Sequence, residues 1–190
     1  MKKSILCFSG AMLALSCILL LGSCRQNTDV ITLSYANFPP DSTFPCVQME
    51  RWKQEVEKRS NGRIKVNTFP GGTLLGAKDI FDGVVAGTAD IGNFAMSYQP
   101  GRFPASEAID LPHFFANAQT ASRILADMLA EFKPDEFREV KILTVFTCPP
   151  GVVMSTQKAS TAADLQGLSL RSAGTLLEPM KLLGSIPVAM

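Results

Sequence analysis

The chain has 190 residues, and its 18 lysines and arginines nearly balance 17 aspartates and glutamates, giving a net charge of +1. Because the basic residues form no run and the acidic residues form no tail, the sequence argues against nucleic acid as a partner. His113 is the only histidine. That argues against a histidine-based zinc site and leaves no second candidate base for a Ser-His-Asp triad.

The N-terminal residues have the pattern of a secretory signal. Lys2 and Lys3 precede an apolar stretch over residues 5–21, and the polar sequence CRQNTDV follows it. This stretch is shorter than a membrane-spanning helix needs, so we expect residues 1–23 to be removed as a signal peptide. The junction LGSC has the form of a bacterial lipobox, which predicts a lipid on Cys24; the alternative is a plain signal peptide with an incidental Cys24. A lipid at Cys24, followed by a linker over residues 24–30, predicts a soluble periplasmic domain anchored beside a membrane.

The remaining cysteines leave two alternatives open. Cys7 and Cys17 lie in the segment that is expected to be removed, so only Cys46 and Cys148 remain to form a disulfide. They either pair across the fold or are ordinary buried thiols, because spacing in sequence does not determine the geometry of a disulfide.

Residues 31–94 alternate strand patterns with helix patterns. ITLSYA alternates apolar and polar positions as a strand does, and the helix pattern that follows stops at Asn61-Gly62. The predicted order is strand 31–36, a helix after Thr43, strand 63–69, a helix from about 77 to 86, and strand 89–94. This alternation favours a mainly parallel sheet, whose ligands gather at the carboxyl ends of the strands. The loops after Ala36, Phe69 and Phe94 are therefore expected to converge on one rim.

The rest of the chain predicts a second unit. After Tyr98, a segment rich in proline and aromatic residues is expected to wrap the surface, and a helix with one apolar stripe follows it. The stripe consists of Ala121, Ile124, Leu125, Met128, Leu129 and Phe132. Further elements are predicted as strands 140–147 and 151–156, a helical turn 161–167, strand 168–171, helix 175–184 and strand 186–190. We place a first α/β lobe at residues 31–147 and the start of a second at 148–190.

The residues do not predict an enzyme. No pair of carboxylates follows a strand, and the loop PGGTLLG lacks the lysine and the following hydroxyl residue of a phosphate-binding loop. Gly71 and Gly72 are better explained by a turn. We therefore predict no catalytic residue, no cofactor and no metal.

Separated blocks of the sequence carry a resemblance to a known family. They are RSNGRIKVNTFPGGTLLGAKDIFDGVVAGTADIG, then Y…GRFP…DLPHFF, then TAADLQGLSLRSAG…LLGSIPVAM. In this order they resemble the solute-binding proteins of tripartite ATP-independent periplasmic (TRAP) transporters, the DctP-like family. The resemblance implies a two-lobed, periplasmic-binding-protein-like α/β fold with mainly parallel sheets. It also implies closure on a small organic acid, which is delivered to the membrane permease subunits without catalysis or cofactor.

The resemblance also implies a role for the arginine in GLSLR. In the family, the arginine at this strand end makes a two-pronged salt bridge with the ligand carboxylate, which assigns that role to Arg171. The chemistry fits, because a guanidinium presents a rigid fork of donors that matches a planar carboxylate. The alternative is a solvated strand end or a surface ion pair.

Other family positions carry over where the sequence keeps them. Asn37 matches a position that hydrogen-bonds the ligand, or it is a plain turn residue. Phe94, Met96 and Tyr98 match the lining of the cleft, with buried core as their alternative. Gly174 matches a place where the backbone approaches the ligand closely at a helix start.

The expected ligand is a monocarboxylate with an apolar body. Family members that bind strongly polar sugar acids can carry a second arginine, and its place here falls near Gly151, where no cation is available. The candidate walls are aromatic or apolar: Phe38, Phe44, Phe94, Met96 and Tyr98. This combination favours an aromatic or branched oxo- or hydroxy-acid over a dicarboxylate. Arg102, or a residue beyond Met190, remains an alternative source of a second charge.

Two further expectations follow from the resemblance. Members of the family are about twice as long and add more strands to the second lobe, so we expect this chain alone to be poorly stable or to bind weakly, as a fragment or a truncated reading frame. The alternative function is a ligand-sensing periplasmic lobe without a transport role.

Overall fold

The computed structural model of the chain describes residues 30–111, 115–149 and 151–189. The predicted signal peptide, the predicted lipidation of Cys24 and the single histidine, His113, lie outside these residues. Within them, no helix combines the length and the apolar character needed to cross a membrane.

The first unit is built on a three-stranded parallel sheet. Its strands are β1 (Ile31–Asn37), β2 (Ile64–Phe69) and β3 (Ile91–Asn93), in the order β2-β1-β3. β1 is central and pairs with β2 from Ile31↔Ile64 onward, and with β3 up to Asn37↔Asn93. The predicted parallel arrangement is confirmed, and all three carboxyl ends lie at one edge of the sheet.

Two helices connect these strands. Helix α1 (Phe44–Arg59) ends before Asn61 and Gly62, whose φ angles of 51° and 76° reverse the chain, as the sequence predicted. Helix α2 (Ile80–Val85) is shorter than the predicted 77–86. The amide N–H of Asp79 donates to the carbonyl oxygen of Gly76, so residues 76–79 form a turn before the helix begins.

The first unit contains an aromatic core. Helix α3 (Pro104–Glu107) is a single turn, and helix α4 (Ala118–Phe132) begins where the side chain of Asn117 accepts from the Thr120 N–H at 2.8 Å. The fully or largely buried core residues are Phe81, Phe103, Leu125, Leu129 and Phe137. The predicted apolar stripe of α4 is narrower than expected, because Ile124 and Phe132 are exposed.

The predicted strands over 140–147 and 151–156 are wrong. Both segments lack regular structure, because a strand requires a backbone partner and no described segment pairs with them. The apolar pattern that suggested a strand comes from packing instead: Val140, Ile142 and Val145 lie against the aromatic core. Thr147 is held to α4 by the Ser122 hydroxyl, which accepts from the Thr147 N–H at 2.8 Å.

The second unit is smaller. After a 3-10 turn (Ala162–Leu165) with a capping box between Thr161 and Asp164 come strand β4 (Ser169–Ser172), helix α5 (Leu177–Leu182) and strand β5 (Ile186–Ala189). β4 and β5 are parallel, with Arg171 opposite Val188. This strand–helix–strand order was predicted from the sequence.

The two remaining cysteines do not form a disulfide. Cys46 is buried in α1 and Cys148 is exposed, and both are free thiols. The disulfide alternative is therefore excluded, and the buried-thiol alternative holds for Cys46 only.

Candidate ligand-binding site

The loops after the three parallel strands meet at the carboxyl edge of the first sheet. We call residues 37–43, 70–79 and 93–98 the rim. The Gly72 N–H donates to the carbonyl oxygen of Asn37 at 3.0 Å, and the Gly71 N–H donates to that of Pro39 at 2.8 Å. Both glycines have positive φ, so they provide the turn that the sequence predicted. The loop after β2 is thereby tied to the loop after β1.

Asn37 and Asn93 face each other across this edge. Asn37 ends β1 and is 0% exposed, and its Oδ1 accepts from Asn93 Nδ2 at 2.9 Å. Asn37 Nδ2 lies 3.9 Å from Met49 Sδ, in α1. Asn37 is thus a structured, buried strand end, and both polar atoms of its amide have partners in the protein.

Two aromatic rings lie on the rim. The rings of Phe38 and Tyr98 have centroids 5.5 Å apart and are tilted by 57°. Both side chains are half-buried, so each retains a surface that a ligand can contact. This ring pair brings together two of the predicted wall residues, one from the loop after β1 and one from the loop after β3.

Phe94 and Met96 contact the core as well as the rim. The Phe94 ring lies 5.3 Å from those of Phe81 and Phe103, and Met96 also packs against the aromatic core. Both side chains are half-buried. Both residues therefore pack against the core, which was the alternative to a role in the cleft. Part of each side chain stays exposed.

The second unit contacts the loop after β3 through Gly174. A Cβ on Gly174 would overlap the carbonyl oxygen of Ser97, so only glycine fits at this distance. Next to it, the Thr175 hydroxyl donates to Asp110 Oδ2 at 3.4 Å. Burial raises the pKa of the Asp110 carboxyl, and the Thr175 hydrogen bond acts in the opposite direction. These contacts bring the chain that follows β4 against Ser97 and Tyr98.

Arg171 lies on β4, three residues before Gly174. Its side chain is exposed, and within the described residues it makes no ion pair or hydrogen bond. Three residues of extended chain span at most about 11 Å, so the backbone of Arg171 lies within that distance of Gly174 and its contact with Ser97. The structure brings Phe38, Tyr98 and Gly174 together, with Asn37 next to Phe38 in the chain, and leaves the exposed Arg171 unpaired three residues before Gly174.

Arg102 has a different environment. Its guanidinium binds Asp82 through two hydrogen bonds, with Nη1–Oδ2 and Nη2–Oδ1 distances of 2.8 and 2.5 Å, and lies 4.6 Å from the Phe81 ring centroid. The ion pair lowers the pKa of the Asp82 carboxyl. Because both arms of the guanidinium are engaged, Arg102 holds the segment after the rim on α2 and does not supply the second ligand charge considered above.

The described residues also contain a cavity that lies away from the rim. This cavity, of about 280 Å³, lies on the surface of α4, lined by Asn117 and Arg123 among others, and none of its lining residues belongs to the rim.

Over residues 30–111, 115–149 and 151–189, no group of three or more His, Cys, Asp and Glu side chains could hold a metal ion.

The sequence analysis missed Asn93 and Ser97. Asn93 ends β3 as Asn37 ends β1, and the two are partners in the strand register. Parallel strands with an amide side chain at each carboxyl end were the available signal. Ser97 takes part through its backbone carbonyl, which no side-chain pattern can indicate.

Comparison with known proteins identifies the family. A model of the bacterial extracellular solute-binding proteins, family 7 (DctP), matches residues 35–190. The chain belongs to this family. Solute-binding proteins of TRAP transporters are periplasmic and are transport proteins rather than enzymes.

Solved structures of DctP-like proteins share the fold. A TRAP periplasmic solute-binding protein from Desulfovibrio salexigens is 49% identical with a TM-score of 0.73, over 84% of this chain and 50% of that one. A marine metagenome TRAP protein specific for aromatic acid ligands, in complex with 3-hydroxybenzoate, is 32% identical with a TM-score of 0.79, over 85% and 52%. A TRAP protein from Rhodoferax ferrireducens, in complex with copurified benzoate, is 31% identical with a TM-score of 0.78, over 85% and 51%. The predicted α/β fold is confirmed.

A curated relative agrees with this assignment. The 2,3-diketo-L-gulonate-binding periplasmic protein YiaO of Escherichia coli is 25% identical over 149 residues, which cover 76% of this chain and 45% of that protein. The chain thus spans about half the length of the relatives and solved structures that it matches.

Proposed function

We propose that the protein is an extracytoplasmic receptor that captures an organic acid anion and delivers it to a TRAP-type secondary transporter. In this proposal Arg171 binds the carboxylate. Phe38, Met96 and Tyr98 contact the body of the ligand, with Phe94 behind them, and Gly174 allows the chain after β4 to approach the rim closely. Membership of the DctP family supports the receptor role.

The observation that carries the proposal is the exposed, unpaired side chain of Arg171, three residues before the contact of Gly174 with Ser97 of the rim. Arg102, the other arginine considered for the ligand, is paired with Asp82, whereas the Arg171 side chain has no acidic partner among the described residues. A guanidinium binds a carboxylate through two parallel hydrogen bonds, and these bonds strengthen when the surroundings exclude water. An acid anion is the ligand that this arrangement suits best.

The ligand class follows from the apolar surroundings of this charge. The rim, residues 37–43, 70–79 and 93–98, offers the ring pair of Phe38 and Tyr98; it has no arginine to form a second fork, and Lys78 is its one cation, which suits an acid with one carboxylate and an apolar body. Two proteins that share more than 30% identity with the chain were solved with 3-hydroxybenzoate and with benzoate. We therefore propose aromatic monocarboxylates as the first candidates.

A thermal-shift screen of the full-length receptor tests this proposal. The panel pairs each acid with its uncharged amide, for example benzoate with benzamide and phenylacetate with phenylacetamide, and includes dicarboxylates. A ligand at a hundred times its Kd stabilises the folded state by about 2.7 kcal/mol, which a melting curve detects. Stabilisation by acids but not by amides supports the receptor role. A folded receptor that no acid stabilises contradicts it.

Delivery is tested separately. In proteoliposomes that contain the TRAP permease subunits, uptake of the labelled acid is expected only when the receptor is added. Acid binding without any effect on uptake would contradict the transport role and favour the sensing alternative.

In the same proposal, a lipid on Cys24 holds the receptor beside the membrane, and intact-mass analysis of the protein extracted from membranes tests this.

A further inference from the structure

We propose that Asn93, rather than Asn37, is the residue of the rim that recognises a hydroxyl group on the acid, and that Asn37 is the positioning residue that orients Asn93. This inference rests on the proposed receptor function and concerns which acids the receptor prefers. It follows from the different surroundings of two amide side chains that are neighbours across the strand register.

Asn37 faces the interior of the protein. The side chain is fully buried, its Oδ1 accepts from Asn93 Nδ2 at 2.9 Å, and its Nδ2 lies 3.9 Å from Met49 Sδ. Met49 is itself only 2% exposed, so the Asn37 amide nitrogen points into the packed contact between β1 and α1. A ligand above the rim would have to break an internal hydrogen bond to reach Asn37.

The side chain of Asn93, in contrast, is only partly buried. It uses one N–H to bind Asn37, whereas its Oδ1 has no hydrogen-bond partner among the described residues. Every fully buried side-chain nitrogen and oxygen in the described residues has a partner, so the unpartnered Oδ1 of Asn93 is not fully buried and is at least partly accessible to solvent. The bond to Asn37 fixes the orientation of the amide, which leaves an accessible acceptor at the carboxyl end of β3.

The chemistry of this acceptor defines what it can bind. A carbonyl oxygen accepts a hydrogen bond from a hydroxyl group and repels a carboxylate. Arg171 therefore suits the carboxylate of the ligand, and Oδ1 of Asn93 suits the proton of a hydroxyl on its body, to whose oxygen the second N–H of the Asn93 amide can donate. Asn93 directly precedes Phe94 and the segment that continues to Tyr98, so it adjoins the residues of the predicted apolar wall in the chain. The preferred substrate class is a hydroxylated acid over its deoxy analogue.

Isothermal titration of the full-length receptor tests the inference with two probe pairs, 3-hydroxybenzoate with benzoate and mandelate with phenylacetate. The measured quantity is the ratio of the two Kd values in each pair, which changes in stability do not alter. We expect the wild-type receptor to prefer the hydroxylated acid of at least one pair. Asn93→Ala is expected to reduce that preference by roughly fivefold to tenfold and to leave the affinity for the deoxy acid within about twofold. Asn67→Ala, an exposed position on β2, is the matched control and should change neither value.

The positioning role of Asn37 is tested by the same ratio. Asn37→Ala is expected to lower the melting temperature and also to reduce the preference, and the double variant with Asn93→Ala should reduce it no further. Three results would overturn the inference: a wild-type receptor that binds the acids without preference, an Asn93→Ala receptor that keeps the preference, or an Asn37→Ala receptor that weakens both acids of a pair equally. A wild-type receptor that binds no acid at all contradicts the proposed function itself.

Discussion

Gly174 lies against the backbone carbonyl of Ser97, so closely that a side chain at residue 174 would overlap that oxygen. This contact joins the chain that follows β4 to the loop that follows β3. It brings the segment that directly follows Arg171 against Ser97 and Tyr98 of the first unit, and the proposed binding site depends on it.

Gly174→Ala is expected to disrupt this contact. The substitution adds a methyl group where the Ser97 oxygen lies, and it forces a residue with a Cβ into a φ of +56°. Gly167→Ala is a matched control, because its φ is +73° but nothing lies within 4 Å of its added methyl group. We expect the control to cost about 1–2 kcal/mol of unfolding free energy and Gly174→Ala to cost more. Urea unfolding of both variants measures the difference. Equal losses of unfolding free energy in the two variants would show that the close contact between Gly174 and Ser97 does not contribute to stability.

Arg171→Lys is expected to weaken acid binding without affecting the fold. Lysine keeps the charge but loses the planar fork, so we expect the Kd for an acid to rise by roughly tenfold to a hundredfold. The melting temperature without ligand should stay within about 1 °C, because the side chain is exposed and unpaired. Arg123→Lys, on the exposed surface of α4, is the control. Unchanged affinity in Arg171→Lys would remove Arg171 from the site.

The carboxyl group of Asp90 is expected to make the unfolding free energy of the protein depend on pH. Its Oδ2 accepts from the N–H and the hydroxyl of Ser34, each at 2.7 Å, and these hydrogen bonds lower the pKa of the carboxyl. A lowered pKa in the folded state means that the stabilisation is present above the ordinary pKa and is lost as the pH falls through the lowered value. Asp90→Asn should therefore be less stable than wild type at neutral pH, and the difference should shrink in acid.

Unfolding curves measured at several pH values test the Asp90 prediction. Asp127→Asn, on the exposed surface of α4, is the control and should follow the wild-type profile. A difference in unfolding free energy between Asp90→Asn and wild type that stays constant from neutral to acidic pH would contradict the prediction. The hydrogen bonds from Ser34 to the Asp90 carboxylate would then not be its cause.

The two free thiols are expected to differ in reactivity. Cys46 is 1% exposed, its thiol donates to the carbonyl oxygen of Pro39 at 3.1 Å, and burial raises its pKa. Because the thiolate is the reactive form, Cys46 should resist iodoacetamide in the native protein, whereas exposed Cys148 should be alkylated. Peptide mapping after labelling, with and without denaturant, checks this. Equal labelling of both thiols in the native protein would contradict the burial of Cys46.

Much of the fold could be predicted from local patterns. The strands of the first sheet, helix α1 with its stop at Asn61-Gly62, and the later order of β4, α5 and β5 all follow from the spacing of apolar residues and from turn residues. The same patterns predicted strands at 140–147 and 151–156 incorrectly. An apolar, alternating segment can pack on a helix as well as pair with a strand, and only the presence of a partner distinguishes the two.

The candidate site was predictable in outline and not in detail. That the loops after three parallel strands meet follows from strand direction, and the resemblance to the family pointed to Arg171. The orientation of a side chain at the end of a strand is a different matter, because neighbours far away in the sequence determine it. Asn37 faces inward since Met49 and Asn93 bind its amide, and Arg102 is held by Asp82, twenty residues earlier.

The sequence by itself determined the family, the parallel α/β order and the rim on which the loops converge, because these depend on local periodicity and on motifs that are continuous in the chain. Only the tertiary structure decided that Asn93, rather than Asn37, carries the open acceptor, that Arg102 is engaged while Arg171 is unpaired, and that Gly174 joins the two units at Ser97. These outcomes depend on contacts between residues distant in sequence, and no local pattern encodes such contacts.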